Sequence, residues 1–335
     1  VSVAEPAVRT ETVLSVRDLV VEVATPSGPR RAVEGVSFDL HREEVLAIVG
    51  ESGSGKSLTM LAVMGLLPAA ATVASGTIDL LGRDLHGASP SELREMRGKD
   101  VAMVFQDSMS ALNPLMKIGT QIGEMIRTHE PTLSRRAVRA RAVELLRLVN
   151  VPNPAERAKA YPHEFSGGMR QRAMIAMAIA HSPTVLIADE PTTALDVTTQ
   201  AQILSVLGLA RATTRSAMVL VTHDLGVVAE VAHTVAVMYG GSIVEIGSAD
   251  QVLHAPRHPY TRGLLASRVG RGVVEEIAYA IPGQPPSISA RPSGCTFHPR
   301  CDHSAGRALC STTVPILDRP NDDHAVACHF PLVAP

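Results

Sequence analysis

Short apolar runs that end in glycine or acid set the frame of this chain. Val45-Leu46-Ala47-Ile48-Val49 is one, and it runs straight into a glycine. Val101 to Phe105, Thr184 to Ala188 and Ala217 to Val221 repeat the pattern. Runs this short and this continuously apolar predict strands buried on both faces, as in a parallel sheet. Helical spacing of apolar residues separates them, in Met169 to Ala180 and Thr199 to Ala210, and another helix is expected from about Lys56. Such alternation predicts an α/β fold with helices on the faces of the sheet. Ahead of the first run, Leu14, Val16, Leu19, Val21 and Val23 alternate imperfectly and Pro26-Ser27-Gly28-Pro29 marks a turn, which predicts a small antiparallel β subdomain. Residues 107–165 break the alternation with helical pattern and polar interruptions, and are expected to form an inserted helical subdomain. From Ile281 onward Pro282, Gly283, Pro285, Pro286, Pro292 and Gly294 describe a linker or irregular loop.

Composition adds limits. With 335 residues, 45% hydrophobic and 19% charged, the chain can build a packed core, as one large domain plus a small one or as two of medium size. It has no Trp and 3% aromatics, so the core must come from Val, Leu, Ile, Ala and Met. A net charge of −2 supplies no field for nucleic acid, and none is expected as a partner. Arg135, Arg136, Arg139 and Arg141 fall at helical spacing and read as a solvated helix face. The longest apolar stretch, Leu58 to Ala74, is broken by Gly65 and Pro68 and falls short of the ~20 residues needed to span a bilayer. Nothing at the N-terminus has the layout of a signal peptide, so a cytosolic chain is expected, one that serves a membrane process only by docking onto other subunits.

The strongest chemical signal is Gly50-Glu51-Ser52-Gly53-Ser54-Gly55-Lys56-Ser57, a phosphate loop between a buried strand and a helix. Its glycines let backbone N–H groups face a β-phosphate, and the helix N-terminus adds positive potential. Lys56 would reach the β- and γ-phosphates of ATP, and Ser57 would ligate Mg²⁺. The apolar run from Thr184 delivers Asp189 and Glu190 at a strand's carboxyl end, where open α/β sheets bind ligands. Asp189 is expected to hold Mg²⁺ through water, and Glu190 to act as general base on the attacking water. Together they describe a P-loop NTPase with a RecA-like core.

Phe165-Ser166-Gly167-Gly168-Met169 then resembles the LSGGQ signature of ABC ATPases, with Phe165 and Met169 in place of its first and last letters. The resemblance implies that Ser166, Gly167 and Gly168 bind the γ-phosphate held by an opposing subunit. It also makes Gln106 the Q-loop glutamine that senses Mg²⁺ and the membrane subunits. Asp196, ending Thr193-Ala194-Leu195-Asp196, matches the loop that crosses the dimer interface, and His223 matches the switch histidine that contacts the γ-phosphate. Further segments resemble the oligopeptide/dipeptide/nickel importer branch: Ala188 to Thr198, Tyr161-Pro162-His163-Glu164, His258-Pro259-Tyr260-Thr261, Ile281-Pro282-Gly283 and Phe297-His298-Pro299-Arg300-Cys301. This branch implies an ATP-hydrolysing subunit for peptide uptake, peripheral on the cytoplasmic face of the membrane. Its implied partners are a second ABC ATPase domain, two transmembrane permease subunits and an extracytoplasmic solute-binding protein. A nickel or other small-solute importer of the same branch, and a soluble ABC ATPase outside transport, are the alternatives. The expected division is an ABC ATPase domain over 1–255 and a C-terminal domain over 256–335.

Two features stand apart. Residues 1–37 contain no aromatic residue or histidine to stack on adenine, which leaves an aliphatic side chain or an arginine such as Arg30 or Arg31. All four cysteines, Cys295, Cys301, Cys310 and Cys328, fall in the tail with spacing C-x5-C-x8-C-x17-C, without the paired knuckles of common zinc modules. Tails of the resembled branch imply a [4Fe–4S] cluster on these thiolates; Zn²⁺ is the alternative, helped by His298, His303 and His329.

Overall fold

The computed structural model describes residues 11–193, 195–267, 280–318 and 323–333. Its strands are β1 Thr12–Thr25, β2 Gly28–His41, β3 Val45–Val49, β4 Ala71–Leu80, β5 Arg83–Asp84, β6 Val101–Val104, β7 Val185–Asp189, β8 Ala217–Thr222, β9 Thr234–Tyr239, β10 Ser242–Ser248 and β11 Ala325–Val326. Helices up to the signature are α1 Lys56–Val63, α2 Pro90–Met96, α3 Ser108–Ala111, α4 Ile118–His129, α5 Arg135–Leu148 and α6 Pro154–Arg157. Beyond it come α7 Gly167–Ala178, α8 Val197–Thr214, α9 Leu225–Val231, α10 Ala249–His254, α11 Pro259–Ala266 and α12 Ala308–Thr312. The chain divides into two compact units, one built mainly on Leu80–Val221 and the other on Ser15–Phe38, Val45–Asp79 and the chain from Thr222 onward.

In the first unit β7 lies between β6 and β8, parallel to both, with Val101 opposite Val185 and Val185 opposite Ala217. Every residue of the three strands is buried, which is why they read as continuous apolar runs. The segment expected to be helical holds α3 to α6. Ile118, Ile122 and Ile126 form the buried stripe of α4, Val138, Ala142, Leu145 and Leu146 that of α5, and the two pack on each other and on α7. Arg135, Arg136 and Arg139 are exposed on α5, as a solvated face requires, while Arg141 turns inward to Glu130 at 2.5 Å.

In the second unit β3 runs parallel to β9, β9 pairs antiparallel with β10, and β10 with β11. A tight turn at Pro26-Ser27 folds β2 back along β1, and β4 joins β1 on its other side. Part of the stretch from Pro259 packs on the sheet of this unit. Tyr260 and Phe297 are buried with Ala47 and Val49 of β3 and Val235, Val237 and Tyr239 of β9, and Cys295 and Cys301 pack against the same cluster. Three rings, Tyr239, Tyr260 and Phe297, meet with centroids 4.6 to 5.3 Å apart.

Glu245, in the middle of β10, is fully buried and anchors this stretch. Its carboxylate accepts from the Arg257 N–H at 2.6 Å, the His258 N–H at 3.0 Å and His324 Nε2 at 2.7 Å. Those bonds compensate an otherwise costly buried charge. His258 in turn caps α11, its Nδ1 accepting from the Tyr260 N–H at 3.0 Å. Burial holds this imidazole neutral, its pKa lowered from 6.5 to about 4. The unfolded chain therefore binds a proton between those values that the native chain does not, and native stability falls as pH drops from about 6.5 towards 4, by up to roughly 3 kcal/mol. His258→Asn keeps a capping acceptor but cannot titrate. Thermal melts from pH 7 to 4.5 are expected to fall more steeply for the wild type than for the variant, and parallel slopes would refute the neutral, buried state.

Candidate nucleotide site

The second unit carries the phosphate loop. Strand β3 is buried throughout and ends at Val49; Gly50 follows, with φ 154°, where a Cβ would stand 2.2 Å from the Met238 carbonyl. No other residue fits that approach. Gly55, at φ 100°, precedes α1. Lys56 is 5% exposed. Its Nζ donates to the carbonyls of Gly50 at 2.7 Å and Glu51 at 3.0 Å, so the ammonium lies across the mouth of the loop. Ser54 Oγ is buried without a hydrogen-bond partner among the described residues, an orphan that an incoming oxygen would satisfy. His223, expected at a strand's carboxyl end, directly follows β8 and is exposed. In the same unit Arg31, offered above as a stacking cation, is paired with Glu34 at 3.0 Å.

The first unit carries the acids. Asp189 ends β7 at 5% exposure. Glu190 follows in the left-handed region, φ 44°, with its N–H bound to the Val221 carbonyl at 2.9 Å. That backbone turn aims a carboxylate away from the strand. Glu190 Oε2 accepts from Gln106 Nε2 at 3.2 Å and from Thr193 Oγ1 at 2.9 Å. Gln106 and Glu190 were expected in one site and are brought together. Thr193 had no role assigned beyond its place in a loop; its spacing of three residues, one turn beyond the acid, is the only signal that could have found it.

The signature segment is also in this unit. Ser166 caps α7, its Oγ accepting from the Met169 N–H at 3.3 Å. Phe165, in place of the usual first letter, is 3% exposed and fills an apolar position. Gly168 packs so closely on α8 that a Cβ would lie 2.7 Å from Thr199 Cγ2. A cavity of about 620 Å³ opens beside Ser166, Gly167, Gly168, Arg172 and Asp196. Asp196 caps α8, accepting from the Thr199 N–H at 3.0 Å and from its hydroxyl at 2.6 Å, and these bonds hold its carboxyl below the usual range. Ala194, in the same loop, lies outside the described residues.

The cysteine expectation meets a different arrangement. Burial raises the thiols of Cys295 and Cys301, and Cys328 is pushed up to about 11 by burial and by the charges of the other three cysteines. Cys295 and Cys301 pack on one hydrophobic cluster, and the Cys295 N–H donates to the Cys310 carbonyl at 2.9 Å. Among the described residues, however, no group of three or more His, Cys, Asp or Glu side chains is placed to hold a metal ion. Burial favours protonated thiols here, and a metal site needs thiolates. Two of the three nearby imidazoles are committed to backbone carbonyls, His298 Nδ1 to Cys295 at 2.9 Å and His329 Nε2 to Thr313 at 2.8 Å.

A strand-loop-helix phosphate cradle, a strand ending in Asp-Glu and a Ser-Gly-Gly helix cap define an ABC-type ATP-binding cassette. Comparison with known proteins agrees and goes further. A family model described as ABC transporter matches residues 33–193, and one described as oligopeptide/dipeptide transporter, C-terminal region, matches 244–310. The dipeptide transport ATP-binding protein DppD of Bacillus subtilis is 47% identical, over 95% of this chain and 94% of that protein. DppD of Escherichia coli is 46% identical, over 95% of this chain and 97% of its own length. The oligopeptide transport ATP-binding protein OppD of Bacillus subtilis is 50% identical, over 89% of this chain and 83% of that one. Among solved structures, a dimeric post-hydrolysis state of the ATP-binding cassette MJ0796, bound to ADP and phosphate, superposes with a TM-score of 0.63 at 25% identity, covering 70% of this chain and 98% of that one. The chain belongs to the ATP-binding proteins of dipeptide/oligopeptide ABC transporters, ATPases that couple hydrolysis to transport. Among the described residues no helix is long and apolar enough to cross a membrane.

Proposed function

We propose that this ATPase drives uptake of dipeptides or short oligopeptides, with the roles of its site residues as follows. The backbone of Gly50 to Gly55 cradles the phosphates of ATP, and Lys56 donates to the β- and γ-phosphate oxygens. Ser57, Gln106 and Asp189 offer only hard oxygen donors, a set that suits Mg²⁺. Bound there, Mg²⁺ would neutralise charge on the β- and γ-oxygens. Glu190 takes the proton of the attacking water, while Gln106 and Thr193 fix the direction of its carboxylate. His223 contacts the γ-phosphate. Ser166, Gly167, Gly168 and Asp196 serve the nucleotide of a second cassette, a reading supported by the cavity beside them and by the dimeric state of the similar MJ0796 cassette. The cargo reading is supported by the names of the relatives, which transport dipeptides and oligopeptides. It brings with it two permease subunits, a solute-binding protein, and a place on the cytoplasmic face of the membrane. The proposed division keeps ATP chemistry in 1–255 and the branch-specific region in 256–335.

The observation that carries the catalytic assignment is the pair of hydrogen bonds from Gln106 and Thr193 to Glu190 Oε2. A side chain so held keeps one geometry as a base. Glu190→Gln preserves size and polarity but removes the base. In the assembled transporter the variant should bind ATP normally and hydrolyse it slower by a factor of about 100 or more. Near-normal steady-state hydrolysis would sink the assignment.

A [4Fe–4S] cluster on Cys295, Cys301, Cys310 and Cys328 is a second, separate reading, supported by the packing of Cys295 and Cys301 on one hydrophobic cluster and by the Cys295 N–H bond to the Cys310 carbonyl at 2.9 Å. It would require the four thiols to deprotonate and draw together. Metal analysis of anaerobically purified protein tests it. About four iron and four sulfide per chain is the result that supports the cluster; zinc alone supports the alternative, and metal-free protein with full ATPase activity rejects both.

A further inference from the structure

The C-terminal region touches the phosphate loop itself. Arg300 Nη1 donates to Glu51 Oε2 at 2.6 Å and Nη2 to Glu51 Oε1 at 3.1 Å, a two-pronged pair. The guanidinium is 6% exposed and the Glu51 side chain 25%. Further bonds aim the guanidinium: Nε donates to the Pro282 carbonyl at 2.8 Å and Nη1 to Tyr239 Oη at 3.3 Å, with the Tyr239 ring centroid 5.8 Å away. A second contact lies beside it, where the Glu51 N–H donates to Tyr260 Oη at 2.9 Å. Tyr260 is fully buried.

Glu51 is the second residue of a loop that must receive a polyphosphate. An unpaired carboxylate there would repel the incoming charge across a few ångströms of poorly screened space. It would also attract Lys56 away from phosphate. The Glu51 N–H, drawn to the phenol, fixes how the loop leaves β3. The paired countercharge comes from a residue 249 positions downstream.

We propose that Arg300 and Tyr260 are positioning residues of the phosphate loop, Arg300 acting by masking the charge of Glu51 so that ATP can enter. This rests on the reading of Gly50 to Ser57 as the nucleotide site. It makes the C-terminal region a determinant of ATP affinity, so that displacing Phe297 to Cys301 from the core weakens nucleotide binding.

Calorimetric titration of the full chain with ATP at low and high salt tests it, using wild type, Arg300→Gln, Arg300→Lys and the pair Arg300→Gln with Glu51→Gln. Arg300→Gln is expected to weaken ATP binding about tenfold at low salt, with the deficit shrinking at high salt. Adding Glu51→Gln should recover most of the loss, because the repelling charge has gone. Arg300→Lys keeps the charge but loses the second prong, and should fall between wild type and Arg300→Gln. A merely structural clamp makes the opposite forecast, with the double variant no better than Arg300→Gln. The inference is overturned if Arg300→Gln matches wild type or if the double variant shows no recovery. Should Arg300→Gln not fold, a tenfold loss in a folded Arg300→Lys would overturn it equally. Wild-type protein that binds no ATP would instead remove the site reading beneath it.

Discussion

The bond between Lys56 Nζ and the carbonyls of Gly50 and Glu51 is the constraint around which the nucleotide half of this protein is arranged. A buried ammonium must have acceptors, and here it finds them in the loop whose shape it then fixes. The requirement spreads outward. Gly50 has to be glycine because the Met238 carbonyl occupies the place of a Cβ. Strand β9, which supplies Met238, has to lie parallel against β3 in one register, Ile48 opposite Ala236. The aromatic cluster of Tyr239, Tyr260 and Phe297 packs with residues of both β3 and β9 and brings the C-terminal region to Glu51.

The acids depend on a comparable device in the other unit. Glu190 sits at φ 44°, a conformation that costs a non-glycine residue energy. Its N–H bond to Val221 and the side-chain bonds from Gln106 and Thr193 hold it there. Strain stored beside an acid and balanced by hydrogen bonds is what a pre-aligned base needs. The three parallel strands β6, β7 and β8 are rigid enough to carry it because every one of their residues is buried.

Much of this was legible in the chain, and the exceptions share a cause. Buried parallel strands announce themselves as apolar runs, so β3, β6, β7 and β8 were found within a residue or two of their ends, and α7 and α8 were found from their periodicity. The phosphate loop and Asp189-Glu190 were legible because their chemistry is local: each residue acts through its neighbours in sequence. Glu245 was not. An acid inside β10 reads as an exposed position, and its three partners come from Arg257, His258 and His324. Arg300 and Tyr260 were visible as markers of a branch, but their contact with Glu51 joins positions 249 and 209 residues apart. No local pattern encodes such a pairing. The cysteines show the converse limit: their spacing spoke for a ligand set, while burial and thiol protonation, which decide whether they act as one, are properties of the packed state.

The central claim is that the loop Gly50 to Ser57 binds ATP through the charge of Lys56. Calorimetry of ATP binding to Lys56→Ala tests it most directly, with circular dichroism to establish that the variant is folded. The account predicts a folded protein whose ATP affinity is lowered at least about tenfold, the loss of a charge-assisted contact to phosphate. Folded Lys56→Ala that binds ATP as tightly as the wild type would contradict it.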